Sequence, residues 1–237
     1  MVGEMYMIKA INKLNSIYDG DLIIDESTRK NIKEVWNDFI KDKNSNDYYD
    51  GDIYCVTDIN QENLSINISK TKFSSLIYAK KTNNLIIRSL FSAGYIRTID
   101  NYICIILNKR NKLNTIGGMA DNKDIKNNQF DCEECLIREV EEELGINLMN
   151  NNDFEVILKY LKYPSEGELN ESYYPVGTLY EIKTKYTKEE LIDLYLNTKH
   201  DSEVKDLKFY DKCNYKEVYS YDNKEEYLDE LFKLLFD

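Results

Sequence analysis

Arg138-Glu139-Val140-Glu141-Glu142-Glu143-Leu144-Gly145-Ile146 is the stretch on which the reading of the whole chain turns. The sequence predicts a helix from Asp131 to Leu144 around it. Asp131 can cap its start, Glu134 stands three residues on, and Gly145 can end it in a left-handed conformation. At about 100° per residue, Leu136, Ile137, Val140 and Leu144 fall on one apolar stripe. Glu139, Glu142 and Glu143 share the neighbouring face, and Glu141 points away. Like charges at these spacings cost a helix ~0.2–0.5 kcal/mol per pair. A divalent cation would reverse that sign, and oxygen-only ligands suit Mg²⁺ or Mn²⁺. Taken alone, however, three glutamates on a helix are most often a solvated face.

The preceding residues change that balance. Tyr102 to Leu107 is a solid apolar run fit for a central strand, and the polar Asn108-Lys109-Arg110 follows. Gly117-Gly118 comes next, then a long polar loop through Phe130. Strand, glycine pair, loop and helix thus stand in fixed order.

This segment resembles the Nudix hydrolase signature, G-x5-E-x7-R-E-U-x-E-E-x-G-U, in which U is aliphatic. Arg138, Glu139, Val140, Glu142, Glu143, Gly145 and Ile146 fill every specified position of its second half. The first half departs from it. Phe130 stands eight residues before Arg138, where the motif has Glu, and Asp124 stands six after Gly118. An insertion of about six residues before the helix, with Asp124 replacing the Glu, reconciles the two.

The resemblance implies a mixed α/β (α+β) fold, a Nudix-type α/β/α sandwich. It implies that Glu139, Glu142 and Glu143 bind Mg²⁺ or Mn²⁺, with the Gly118 carbonyl as a further ligand, and that Arg138 orients a glutamate. The implied reaction is hydrolysis of the diphosphate bond in a nucleoside diphosphate linked to another group, such as a nucleotide sugar. A later loop often supplies the general base in this family, and Glu166, Glu168 and Glu171 are candidates. Arg97 and Arg110 are candidates for phosphate contacts, and Tyr95 or Trp36 for stacking on a base. The expected division is a Nudix domain over 91–237 and an N-terminal extension over 1–90, with helix and strands packed on the core. Such extensions shape a substrate site or a homodimer. Messenger-RNA decapping and a non-catalytic nucleotide-sensing module are the alternative readings.

Composition narrows the partners. The 237 residues carry 43 acidic and 31 basic side chains, a net charge of −12, which disfavours general binding to nucleic acid. No apolar run suits a membrane span, and five irregularly spaced cysteines suggest a reducing, cytoplasmic setting. The single histidine, His200, lies in a polar stretch and reads as surface. Cys132 and Cys135 form a C-x-x-C without a second pair, so packing is favoured over zinc. Elsewhere the patterning predicts helices over 27–43, 187–198 and 223–236. It predicts strands over 52–58, 64–68, 74–79, 85–89, 94–98, 154–163 and 173–183.

Overall fold

The computed structural model describes residues 6–42, 49–149, 151–165 and 174–236. Among them, strands β1 (Tyr6–Ala10) and β2 (Asn15–Asp21) precede helix α1 (Glu26–Asp42). Strands β3 (Asp52–Asn60) and β4 (Ser65–Lys72), helix α2 (Phe73–Thr82), and strands β5 (Arg88–Arg97) and β6 (Ile103–Asn108) follow. Four short strands come next: β7 (Leu113–Asn114), β8 (Ile116–Met119), β9 (Ile125–Lys126) and β10 (Gln129–Phe130). Helix α3 (Cys132–Leu144), strands β11 (Phe154–Pro164) and β12 (Val176–Thr184), helix α4 (Lys188–Asn197), strand β13 (Val204–Tyr210) and helix α5 (Leu228–Phe236) complete the order.

The main sheet runs β1-β11-β12-β5-β3-β4-β2, with β6 and β8 also paired to β5. It is mixed: β12–β5 and β2–β4 are parallel, and the other pairs are antiparallel. Strand alternation puts a helical layer on each face. Cys104 and Ile106 of β6 pack with Leu136, Val140 and Leu144 of α3 and Leu191 of α4. Ile103 and Ile105 point the other way, against Leu228, Leu231 and Phe232 of α5. The fold is thus the expected α+β sandwich around a mixed sheet.

Among the described residues, the strands of the N-terminal 90 belong to the same sheet. Strand β1 pairs with β11 on one side, and β3 joins β5 on the other. Several local expectations need correction. Residues 74–79 are helical, not extended. All six side chains of that run are buried, so it has no periodicity to distinguish helix from strand. The two strands expected over 85–89 and 94–98 are one continuous strand, β5, and the last helix begins at Leu228 rather than Asn223. The polar loop before α3 contains a hairpin. Asn127 and Asn128 adopt φ of 50° and 58° between β9 and β10, the two-residue turn that asparagine tolerates.

Candidate active site

Helix α3 is held where its glutamates meet the glycine strand. Asp131 caps it by accepting from the Glu134 N–H, and Gly145 ends it at φ 69°. Leu136, Val140 and Leu144 are fully buried and fix its rotation. The glutamate face is thereby turned onto β8. A Cβ at Gly118 would meet the Glu139 carboxylate, so any side chain there has to displace that group. Gly117, at φ 143°, lies against the backbone of Ser92 and Ala93, and its N–H donates to Glu143 Oε2 at 2.9 Å.

The Arg138 guanidinium ties the face together. It lies 2.9 Å from Asp124, 2.6 Å from Glu139 and 3.4 Å from Glu142, and donates to the Met119 carbonyl at 3.2 Å. Asp124 is fully buried. It closes a one-turn 3₁₀ helix over 122–124 by accepting from the Asp121 N–H at 2.8 Å.

Burial sets the electrostatics. It pushes the Glu139 carboxyl up, with Arg138 pulling the other way. Glu143 is 8% exposed. Burial, opposed by the Gly117 N–H and helped by Glu139, Asp201 and Glu203, pushes its carboxyl up to about 8. Asp201 and Glu203 lie in the segment before β13; their N–H groups donate to the Glu142 carbonyl and the Asp201 carboxylate, and the Glu203 carboxylate pairs with Lys109.

Among the described residues, no three acidic, thiol or imidazole groups already converge as a metal cage. Arg138 engages Glu139 and Glu142, and Glu143 turns to Gly117. The donor set still fits a hard divalent cation. Its carboxylate oxygens lie within two helical turns, against a glycine backbone, with a buried carboxyl that burial alone does not favour as an anion. Mg²⁺ sites of this kind complete their shell with water and substrate phosphates.

A cavity of about 200 Å³ opens on the other side of β8, lined by Phe91, Ala93, Asn114, Thr115, Pro175, Glu225 and Tyr227 together with Gly117 and Gly118. The Phe91 and Tyr227 rings lie 6.3 Å apart, tilted by 31°. The Tyr227 hydroxyl is 2.5 Å from Thr115 Oγ1. Behind this wall Lys162 is fully buried. Its ammonium donates to the Pro175 carbonyl at 2.9 Å and stands 3.6 Å over the Tyr6 ring, and burial pushes its pKa far down. Phe91 and Tyr227 come from segments 136 residues apart and carry no local signal. Only the glycine pair beside them was recognisable in the sequence.

Other expected residues lie elsewhere. Arg97 is five residues past Ser92, the strand partner of Gly118, which is about 16 Å along an extended chain. There it pairs with Glu181 at 2.5 Å, so the structure does not bring it to the glutamates. Arg110 is exposed in the β6–β7 turn, and its carbonyl accepts from Asn223, two residues before Glu225 of the cavity. Tyr95 is buried in the core, and Trp36 stacks on Phe39 at 5.5 Å, so neither lines the cavity. Cys135 is buried in the core and Cys132 accepts from the Tyr180 hydroxyl, in keeping with packing. All five cysteines are free thiols, and His200 stacks on Tyr195. Glu166, Glu168 and Glu171 lie outside the described residues.

No family model and no curated protein sequence matches the chain. Solved structures do. DR0079 from Deinococcus radiodurans superposes over 79% of this chain and 100% of its own, with TM-score 0.50 and 12% identity. A Nudix-family hydrolase from Clostridium perfringens covers 62% of this chain and 98% of its own, with TM-score 0.36 and 21% identity. The Nudix domain of Shewanella oneidensis NrtR, solved with ADP-ribose, covers 62% and 86%, with TM-score 0.39 and 11% identity. At such identities the likeness is one of fold. The likeness to DR0079 is that of the mixed-sheet α+β sandwich, inside which the glutamate helix lies across a glycine strand.

No helix among the described residues is long and apolar enough to cross a membrane.

Proposed function

We propose that this protein is a divalent-cation-dependent hydrolase that cleaves the diphosphate bond of a nucleoside diphosphate linked to another group. One observation carries the reading: the carboxylate face of α3 and the aromatic cavity abut at the same two glycines, Gly117 and Gly118. A diphosphate bound at the glutamates could then extend its nucleoside into the cavity that Phe91 and Tyr227 line.

Glu139, Glu142 and Glu143 would hold Mg²⁺ or Mn²⁺. When bound, such a cation supplies an acidified water and offsets charge on the phosphoryl oxygens. Arg138 keeps Glu139 and Glu142 on one side of the helix. Burial raises the proton affinity of Glu143, and a cation bound at its oxygens would oppose that. Phe91 and Tyr227 offer apolar faces to a planar base, and Asn114, Thr115 and Glu225 offer polar groups to its edge or to a ribose. Arg110, exposed in the β6–β7 turn, would be a phosphate contact only through its long side chain. The base among the loop glutamates Glu166, Glu168 and Glu171 would be chosen by mutating each in turn.

A second reading, a nucleotide-sensing module without catalysis, is favoured by the hold of Arg138 on two of the three carboxylates. One assay separates them. Product release from a panel of nucleoside diphosphate derivatives is measured with Mg²⁺ for wild type and Glu142→Gln. Hydrolysis by wild type and at least a hundredfold loss in the variant supports the enzyme. Ligand binding without hydrolysis in both supports the sensor.

A further inference from the structure

The inserted segment before α3 is fastened to the N-terminal part of the chain by three separate hydrogen bonds. Tyr54 of β3 donates its hydroxyl to Asn122 Oδ1 at 2.8 Å. Ser16 of β2 accepts from the Phe130 N–H at 2.8 Å, and the Tyr18 N–H donates to the Asn128 carbonyl at 2.9 Å. Phe130 is buried in a cluster with Tyr54, Val56 and Ile66. The segment so fastened, 122–130, contains Asp124, and Asp124 is the buried partner of Arg138. Arg138 in turn holds Glu139 and Glu142. An unbroken run of short contacts therefore joins β2 and β3 to the carboxylates of α3.

We propose that Tyr54 and Ser16 are positioning residues for the metal-binding face, acting through the hairpin, Asp124 and Arg138. The physical basis is direct. Asp124 stands in a 3₁₀ turn of only three residues, and beyond it the chain runs out through a two-residue hairpin before α3 begins. Such a segment has little regular structure of its own, so its rest position is set by the burial of Phe130 and by what it is tied to. If the ties loosen, Asp124 can shift, Arg138 follows its buried partner, and the two glutamates lose a fixed separation. Partners outside the coordination shell commonly govern metal affinity in this way. The sequence showed the insertion as a departure from the Nudix pattern. The structure ties the insertion both to β2 and β3, through Asn122, Asn128 and Phe130, and to α3, through Asp124 and Lys126.

This inference rests on the proposed metal face, and its test keeps the two apart. Mn²⁺ alone is titrated into the full chain by electron paramagnetic resonance, using wild type, Tyr54→Phe, Ser16→Ala and the double variant. Thr82→Ala removes a hydroxyl contact to the Tyr78 carbonyl, on α2 away from the hairpin, and serves as control. In parallel, the Arg138 Nε–H resonance is followed without metal, assigned by its loss in Arg138→Lys. The expected result is Mn²⁺ binding weakened about tenfold in the double variant, the low end for residues outside the coordination shell. Its Arg138 resonance should be displaced or broadened, and the control should change neither. Unchanged Mn²⁺ affinity in a folded double variant overturns the inference. If the double variant does not fold, the same criterion applies to the single variants. If wild type binds no Mn²⁺, the proposed function falls, and the Arg138 resonance alone decides the inference: an unmoved signal overturns it.

Discussion

The Arg138 guanidinium lies 2.9 Å from a carboxylate, that of Asp124, with no exposure to solvent. Asp124 stands six residues after Gly118, where the Nudix pattern has a glutamate, and reaches the arginine despite the inserted hairpin. Breaking a buried pair on one side strands the other charge, typically at a cost of about 3 kcal/mol or more. Arg138 keeps Glu139 at 2.6 Å, so Asp124→Asn should lower the unfolding free energy by less, roughly 2 kcal/mol, in urea denaturation. A loss under 1 kcal/mol would show that the arginine finds other partners without strain.

The proton on Glu143 makes stability depend on pH. Its folded carboxyl titrates at about 8, above the ordinary value near 4.5. Between those values the folded chain binds more protons than the unfolded chain. The stabilisation is therefore complete below about pH 4.5 and is lost as pH rises through 8. Without metal, wild type should be less stable at pH 8.5 than at pH 6, and Glu143→Gln should flatten that difference. Mg²⁺ competes for the same oxygens, so its affinity for wild type should rise over this window. Thermal unfolding at both pH values, with and without Mg²⁺, measures all three.

The adjacent glycines should respond differently to alanine. At Gly117 the new Cβ meets the backbone of β5, and φ of 143° is strained for any L side chain. Gly117→Ala should lower Tm by several degrees. At Gly118 the obstacle is a side chain, the Glu139 carboxylate, which can swing away. Gly118→Ala should thus keep most of its Tm while losing most metal binding and activity. Equal Tm losses in the two variants would contradict this separation.

The aromatic cavity makes its own claim. Tyr227→Leu and Phe91→Leu each remove one ring facing the site. If the nucleoside sits there, each should raise KM about tenfold, the worth of one base–aromatic stack, with a smaller change in kcat. A fall in kcat with KM unchanged would place the nucleoside elsewhere.

The α3 segment was readable because its signals are local: a cap, a stripe of apolar residues at helical spacing and a terminal glycine. The sheet layers were readable in outline for the same reason. What escaped was set by distant partners. β2, with Asp19, Gly20 and Asp21, looks nothing like a strand until it lies parallel to β4. β13 carries three charged residues in seven and became a strand only against the apolar β6. Arg97 lay close to the motif in sequence, but β5 carries it away from the glutamates. The departure at Phe130 and Asp124 was legible as an insertion. Its hairpin was not, because two asparagines rather than Asn-Gly make the turn.

The first described strand, β1, hydrogen-bonds to β11 from Tyr6 opposite Pro164 to Ala10 opposite Tyr160. About 150 residues separate the partners, so on the ribosome this edge of the sheet must wait until most of the chain has been made. Pairings of such long range are slow to form and leave strand edges open meanwhile. Synthesis rate, rather than final stability, should therefore govern how much of this chain reaches its native state during expression.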